Sequence, residues 1–101
     1  IEQTISSTMP NAVALKLAST LNIKIDLKKA QDNLAFGVAK ILSMQDISGG
    51  WRYWENDTTV NDHVTPYVVR ALYDFQNLGV TIPKDATTRG LDFIANTTFI
   101  E

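Results

Sequence analysis

Glu2 and Gln3 set a carboxylate beside a carboxamide at the head of the chain, with hydroxyls following at Thr4, Ser6, Ser7 and Thr8. A carboxamide is a poor electrophile in water. Its carbonyl carbon becomes reactive only when the nitrogen is replaced by a better leaving group, such as a thiolate. The 101 residues contain no cysteine, so Gln3 alone is inert, and disulfides and thiolate metal sites within the chain are excluded. His63, the sole histidine, invites a catalytic role. It directly precedes Val64-Thr65-Pro66, however, where capping or packing at a helix start is the simpler reading. Glu55, Asp57 and Asp62 cluster in sequence, but calcium takes about six or more oxygens and the spacing fits no EF-hand loop. A solvated acidic loop is the better reading, and no metal site is expected. Trp51, Tyr53 and Trp54 could stack on a sugar ring, although packing is the commoner use of such side chains. Asn56-Asp57-Thr58 and Asn96-Thr97-Thr98 match the glycosylation sequon, which carries weight only in a eukaryotic secreted protein.

Helical periodicity supplies the frame for these residues. Met9, Ala12, Val13, Leu17 and Leu21 predict a helix from near Pro10 to Asn22 with that side inward. Asp26 is a candidate N-cap for a second helix, whose stripe is Leu27, Ala30, Leu34, Val38, Ile41 and Leu42. Gly49-Gly50 and Asn56-Asp57 then break the pattern. A third helix begins between Asp62 and Pro66, turns Val64, Val68, Ala71, Leu72, Phe75 and Leu78 inward, and stops at Gly79. The fourth starts at Pro83, with Ala86, Leu91 and Ile94 inward and fraying expected at Asn96-Thr97-Thr98. The fold class is therefore all-α, with about four main helices.

A shift of 57 positions overlays the first pair of helices on the second. Thr8/Thr65, Ala14/Ala71, Leu15/Leu72, Leu21/Leu78, Ile25/Ile82, Leu34/Leu91 and Phe36/Phe93 coincide. The unit is an antiparallel helical hairpin, about 8–44 and 65–101, joined by a Gly/Trp-rich connection at 45–61. A hairpin cannot bury both faces alone, so stacking of units is expected.

Composition narrows the partners. Nine basic against eleven acidic residues give a net charge of −2, without a basic run, so no nucleic-acid footprint is visible. Apolar residues make up 45% and charged residues 20%, a globular balance. No apolar stretch approaches the roughly 20 residues of a membrane span.

Ile1-Glu2-Gln3-Thr4 resembles the thioester segment of the alpha-2-macroglobulin and complement group, Cys-x-Glu-Gln, with the chain opening just after the cysteine position. Gly49-Gly50-Trp51-Arg52-Tyr53-Trp54 and Val64-Thr65-Pro66-Tyr67-Val68 are similar to the Gly-Gly-aromatic turn and the helix start that follow in that domain. The resemblance leans to bacterial members. It implies that all of 1–101 is the first sector of a toroid of helical hairpins, the fold shared with terpenoid cyclases and prenyltransferase β subunits. It further implies that Gln3 is the acyl residue of a thioester in the intact parent and Glu2 a member of the motif. The parent would be an endopeptidase inhibitor that captures proteases covalently, not an enzyme, and would need no cofactor. It would work in the periplasm, at the cell envelope or outside the cell. Its partners would be target proteases and the remaining hairpins and domains of the parent, and the fragment alone would self-associate.

Gln45-Asp46-Ile47-Ser48-Gly49-Gly50-Trp51 also resembles the Gln-Trp motif of squalene-type cyclases. There the glutamine ties helix ends and the indole stacks, which marks Gln45, Gly49, Gly50 and Trp51 as a structural motif. Two other readings stay open. One is a toroid enzyme acting on glycans or isoprenoids, needing paired carboxylates for which Asp32, Asp74 and Asp92 are the helix-borne candidates. The other is a structural macroglobulin sector that lacks the thioester cysteine.

Overall fold

The computed structural model describes residues 1–22, 27–52, 60 and 63–98, with side chains to residue 96. Four helices, α1 (Glu2–Leu21), α2 (Lys28–Ser43), α3 (Val64–Asn77) and α4 (Lys84–Thr98), account for most of these residues. The described part is all-α, and its extended pairing is the single bridge Gln45↔Trp51. Helices α1 and α2 pack together, α3 packs on α4, and α1 also touches α3.

Helix α1 begins at Glu2, eight positions before the start expected at Pro10. Proline inside a helix removes an amide donor and crowds the preceding turn. The carbonyl that loses its partner here belongs to exposed Ser6, on the solvent side. Around the proline, side chains bond back to the turn before them: Ser7 Oγ donates to the Gln3 carbonyl at 2.7 Å, Asn11 Nδ2 to Ser7 at 3.1 Å, and Thr8 Oγ1 to Thr4. Such local bonds offset part of the cost of an interior proline.

The buried face of α1 agrees with the expected one at Met9 and Ala12 and departs from it elsewhere. Ile5, Thr8, Ala12 and Ala18 are buried beside Ile1, whereas Val13, Leu17 and Leu21 are 39, 52 and 62% exposed. The sequence offers two apolar stripes, and α2 and α3 cover only the stripe that starts at Ile1. Thr8 lies on that face because it meets Gly37 of α2, where a Cβ would overlap its side chain. Close helix contact is thus bought with a small residue on α2 and a compact one on α1.

Helix α2 follows its predicted stripe, with Val38 and Ile41 buried and Leu34 and Leu42 packed against the core. Its first cap position is Leu27, and Asp26 lies outside the described residues. Helix α3 matches its sequence pattern closely. Val64, Val68, Ala71, Leu72 and Phe75 are buried, and Gly79 follows the Leu78 cap with φ 91°, which ends the helix as a left-handed residue. Asn22, 57 positions earlier, takes φ 54° just after α1. On α4, Ala86 is buried and Ile94 packs on the core, but Leu91 is 45% exposed, contrary to expectation. Gly90 beside it faces Trp51 and Val69, so the inward position of that turn is held by a glycine. No described helix is long and apolar enough to cross a membrane.

Candidate functional site

Gln3 sits in the first turn of α1 between two buried anchors, Ile1 and Ile5, whose backbones are joined by the Ile5 amide donating to the Ile1 carbonyl at 3.0 Å. Glu2 and Gln3 are both exposed. The placement of a carboxylate at Glu2 suits the positive end of the helix dipole. Gln3 borders an open cavity of about 430 Å³ between α1 and α2, together with Ser7, Asn11, Asn33, Phe36 and Lys40. The lining holds hydroxyls, carboxamides and one ammonium group. It contains no carboxylate, imidazole or thiol, the side chains that most often serve as general base or activated nucleophile.

The second constellation is the loop from Gln45 to Trp51. Its backbone closes on itself, with Asp46 N donating to Gly50 O at 2.7 Å and Gly49 N to Asp46 O at 2.9 Å. Gly49 has φ 99°, and a Cβ there would come within 2.3 Å of the Arg89 carbonyl. Only glycine combines that backbone with that approach. Gln45 Nε2 donates at 3.0 Å to both the Gly49 and Ala86 carbonyls, linking the loop to the first turn of α4. Trp51 is fully buried. Its indole Nε1 donates to Ile41 O at 2.8 Å, and its amide donates to Thr65 Oγ1 at 2.8 Å, so one residue bridges α2 and α3.

Charge reinforces the same loop. Arg89 Nη2 donates to the carbonyls of Asp46 (3.1 Å) and Ile47 (2.6 Å). Asp46 accepts from the Ser48 amide at 3.0 Å and lies 3.7 Å from Arg52. The hydrogen bonds from Ser48, with the Arg52 guanidinium adding to them, hold the Asp46 carboxyl below its ordinary value. Sequence reasoning singled out Gln45, Gly49, Gly50 and Trp51 in this loop and missed Arg89, Asp46 and Thr65. An arginine in the second turn of a helix carries no local signal that it caps a loop more than 40 residues away.

The other candidates separate. His63 stands at the N-cap of α3, exposed and without a side-chain cap bond. Asp32, Asp74 and Asp92 are exposed on three different helices, and Asp32 pairs with Lys28 at 3.1 Å. Among the described residues no group of His, Cys, Asp and Glu gathers that could hold a metal ion. Tyr53, Trp54, the acidic set Glu55, Asp57 and Asp62, and the first sequon lie outside the described residues.

The chain is similar to two bacterial proteins called alpha-2-macroglobulin. It is 32% identical over 95 residues to the one from Escherichia coli, a match covering 89% of this chain. It is 28% identical over 97 residues to the one from Thermotoga maritima, covering 93%. The matched region spans 6% of the length of each relative. No family model matches the chain, and no solved structure matches it significantly.

Proposed function

We propose that this chain is a sector of the thioester-bearing domain of an alpha-2-macroglobulin-like protein, and that Gln3 supplies the acyl group through which the parent captures a protease. The observation that carries the reading is the setting of Gln3. It is exposed, fixed in a helical first turn by buried Ile1 and Ile5, and set on the rim of an open cavity. An acyl group meant to meet a second protein needs that combination of access and rigidity. The resemblance of Ile1-Glu2-Gln3-Thr4 to Cys-x-Glu-Gln and the names of the relatives support the same assignment.

In the parent, a cysteine at the position before Ile1 would condense with the Gln3 carboxamide, forming the S–C bond and releasing ammonia. A lysine amine of the captured protein then attacks the acyl carbon. The C–S bond breaks, the thiolate takes up the proton the amine loses, and an amide joins the two proteins. Gln3 is consumed once, which is capture rather than turnover. Glu2 belongs to the motif, and Gln45, Gly49, Gly50 and Trp51 form the structural clasp that keeps the hairpins in register.

In this reading the hairpins continue into a closed α/α toroid, and the parent acts in the periplasm or at the cell envelope. The groove of about 450 Å³ lined by Leu15, Leu34, Val38, Leu42 and Val80 is covered there by further hairpins. The experiment is to treat the parent with methylamine and map the product by mass spectrometry. Modification at Gln3 with one new titratable thiol is expected. No modification, or modification that survives replacement of the preceding cysteine by serine, removes the thioester and leaves a purely structural sector.

A further inference from the structure

A second cavity, of about 300 Å³, lies between α1 and α3. Its floor is apolar, with Ile5 and Ala71 buried and Met9 half-buried. Its exposed rim carries both signs of charge, the Arg70 guanidinium and the Asp74 carboxylate, with Ser6 and Tyr67 beside them.

Arg70 and Asp74 stand one turn apart on α3, a spacing at which opposite charges can pair. They do not pair here. Among the described residues neither side chain makes an ion pair or a hydrogen bond. A third polar group is also open, because Ser6 lines the cavity and its carbonyl has no helical donor where Pro10 lacks an N–H. The lining therefore offers a carboxylate and a carbonyl to a bound cation, a guanidinium to a bound anion, and an apolar surface between the helices. A shift of 57 positions carries Arg70 and Asp74 onto Val13 and Leu17. The charged pair thus belongs to this cleft and is not a requirement of the hairpin itself.

We propose that this cavity binds a free amino acid with an apolar side chain of the size of leucine or methionine. The ligand carboxylate meets the Arg70 guanidinium, whose planar fork suits a carboxylate. Its ammonium meets the Asp74 carboxylate and the Ser6 carbonyl, and its side chain covers Ile5, Met9 and Ala71. A free amino acid carries both charges on one carbon, whereas a residue inside a polypeptide carries neither, so the charge pair selects the free form. Gln3 lines the cavity between α1 and α2 and takes no part, so this site stands apart from the proposed function.

The test is an NMR titration of the full chain with L-leucine, leucinamide, N-acetyl-leucine and glycine. Leucine is expected to shift the amides of Ser6, Met9, Arg70 and Asp74 with a Kd of about 1 mM, as suits a small ligand on an open site. Leucinamide lacks the carboxylate and N-acetyl-leucine lacks the ammonium, so each should bind about five-fold more weakly. Glycine, without the apolar side chain, should bind about ten-fold more weakly. Arg70→Gln is expected to erase the preference over leucinamide alone, and Asp74→Asn the preference over N-acetyl-leucine alone. Both positions are exposed, so the variants keep the fold. No shift at these amides with leucine overturns the proposal. Equal binding of the three leucine compounds, or preferences that both variants leave in place, overturns it as well.

Discussion

Gln45 and Ala86 are 41 positions apart, yet the Gln45 side-chain amide donates to the Ala86 carbonyl at 3.0 Å while also holding the Gly49 carbonyl. One carboxamide thereby joins the end of the first hairpin to the start of the last helix. Gln45→Met keeps the volume and removes the amide that holds the Gly49 and Ala86 carbonyls. A loss of about 1–3 kcal/mol in urea denaturation is expected. An unchanged midpoint would mean that the loop is held without this clasp.

Trp51→Phe removes the indole donor to Ile41 and leaves a gap beside Gly90. The expected cost is about 2–4 kcal/mol, from the lost bond together with the cavity. Trp51→Ala should exceed it, and the comparison separates the hydrogen bond from the volume.

Two glycines with positive φ should answer differently to alanine. At Gly49 the added methyl meets the Arg89 carbonyl, whereas at Gly79 nothing lies within 4 Å. Gly49→Ala is expected to cost about 2 kcal/mol or more, and Gly79→Ala about 1 kcal/mol from backbone strain alone. Gly79→Asn should be nearly neutral, because Asn22 already serves in the matching place. Thermal unfolding of the three variants ranks them directly.

The folded-state pKa of Asp46 lies below its ordinary value, so its stabilising effect is fully present above the unfolded value and is lost as pH falls through the folded one. Asp46→Asn should flatten the acid limb of the stability curve. A variant as acid-sensitive as the parent chain would place the titrating group elsewhere.

Leu17, Leu21 and Phe36 are 52, 62 and 73% exposed, and an apolar groove runs along α2. The isolated chain should therefore associate with itself as concentration rises. Sedimentation velocity reads this outcome, and a strict monomer that binds no hydrophobic dye would contradict it.

The helices were legible where one apolar stripe meets one partner surface. Helix α3 is the clear case, since Val64 through Phe75 repeat at helical spacing and Gly79 marks the stop. Helix α1 was less legible for two reasons. Pro10 reads as a first-turn residue, yet Ser7, Thr8 and Asn11 bond back along the turn and let the helix run through it. The Val13-Leu17-Leu21 stripe is as apolar as the stripe from Ile1, and the choice between them depends on where α2 and α3 lie. Leu91 was misplaced for a related reason, because Gly90 has no side chain to announce that Trp51 packs there. In the candidate site, Gln3 was visible as a motif letter. Its cavity was not, because that surface is assembled from α1 and α2 together. Arg89 and Thr65 act on the loop only through tertiary contact.

The clasp around Gln45 and Arg89 also governs the order in which the chain assembles. Each helical hairpin closes a short loop and can form early, whereas the bonds from Gln45 and Arg89 span 41 to 43 positions and require both hairpins to be in place. The clasp is therefore a late event in folding. Substitutions at Gln45 and Arg89 should hasten unfolding and leave the refolding rate nearly unchanged.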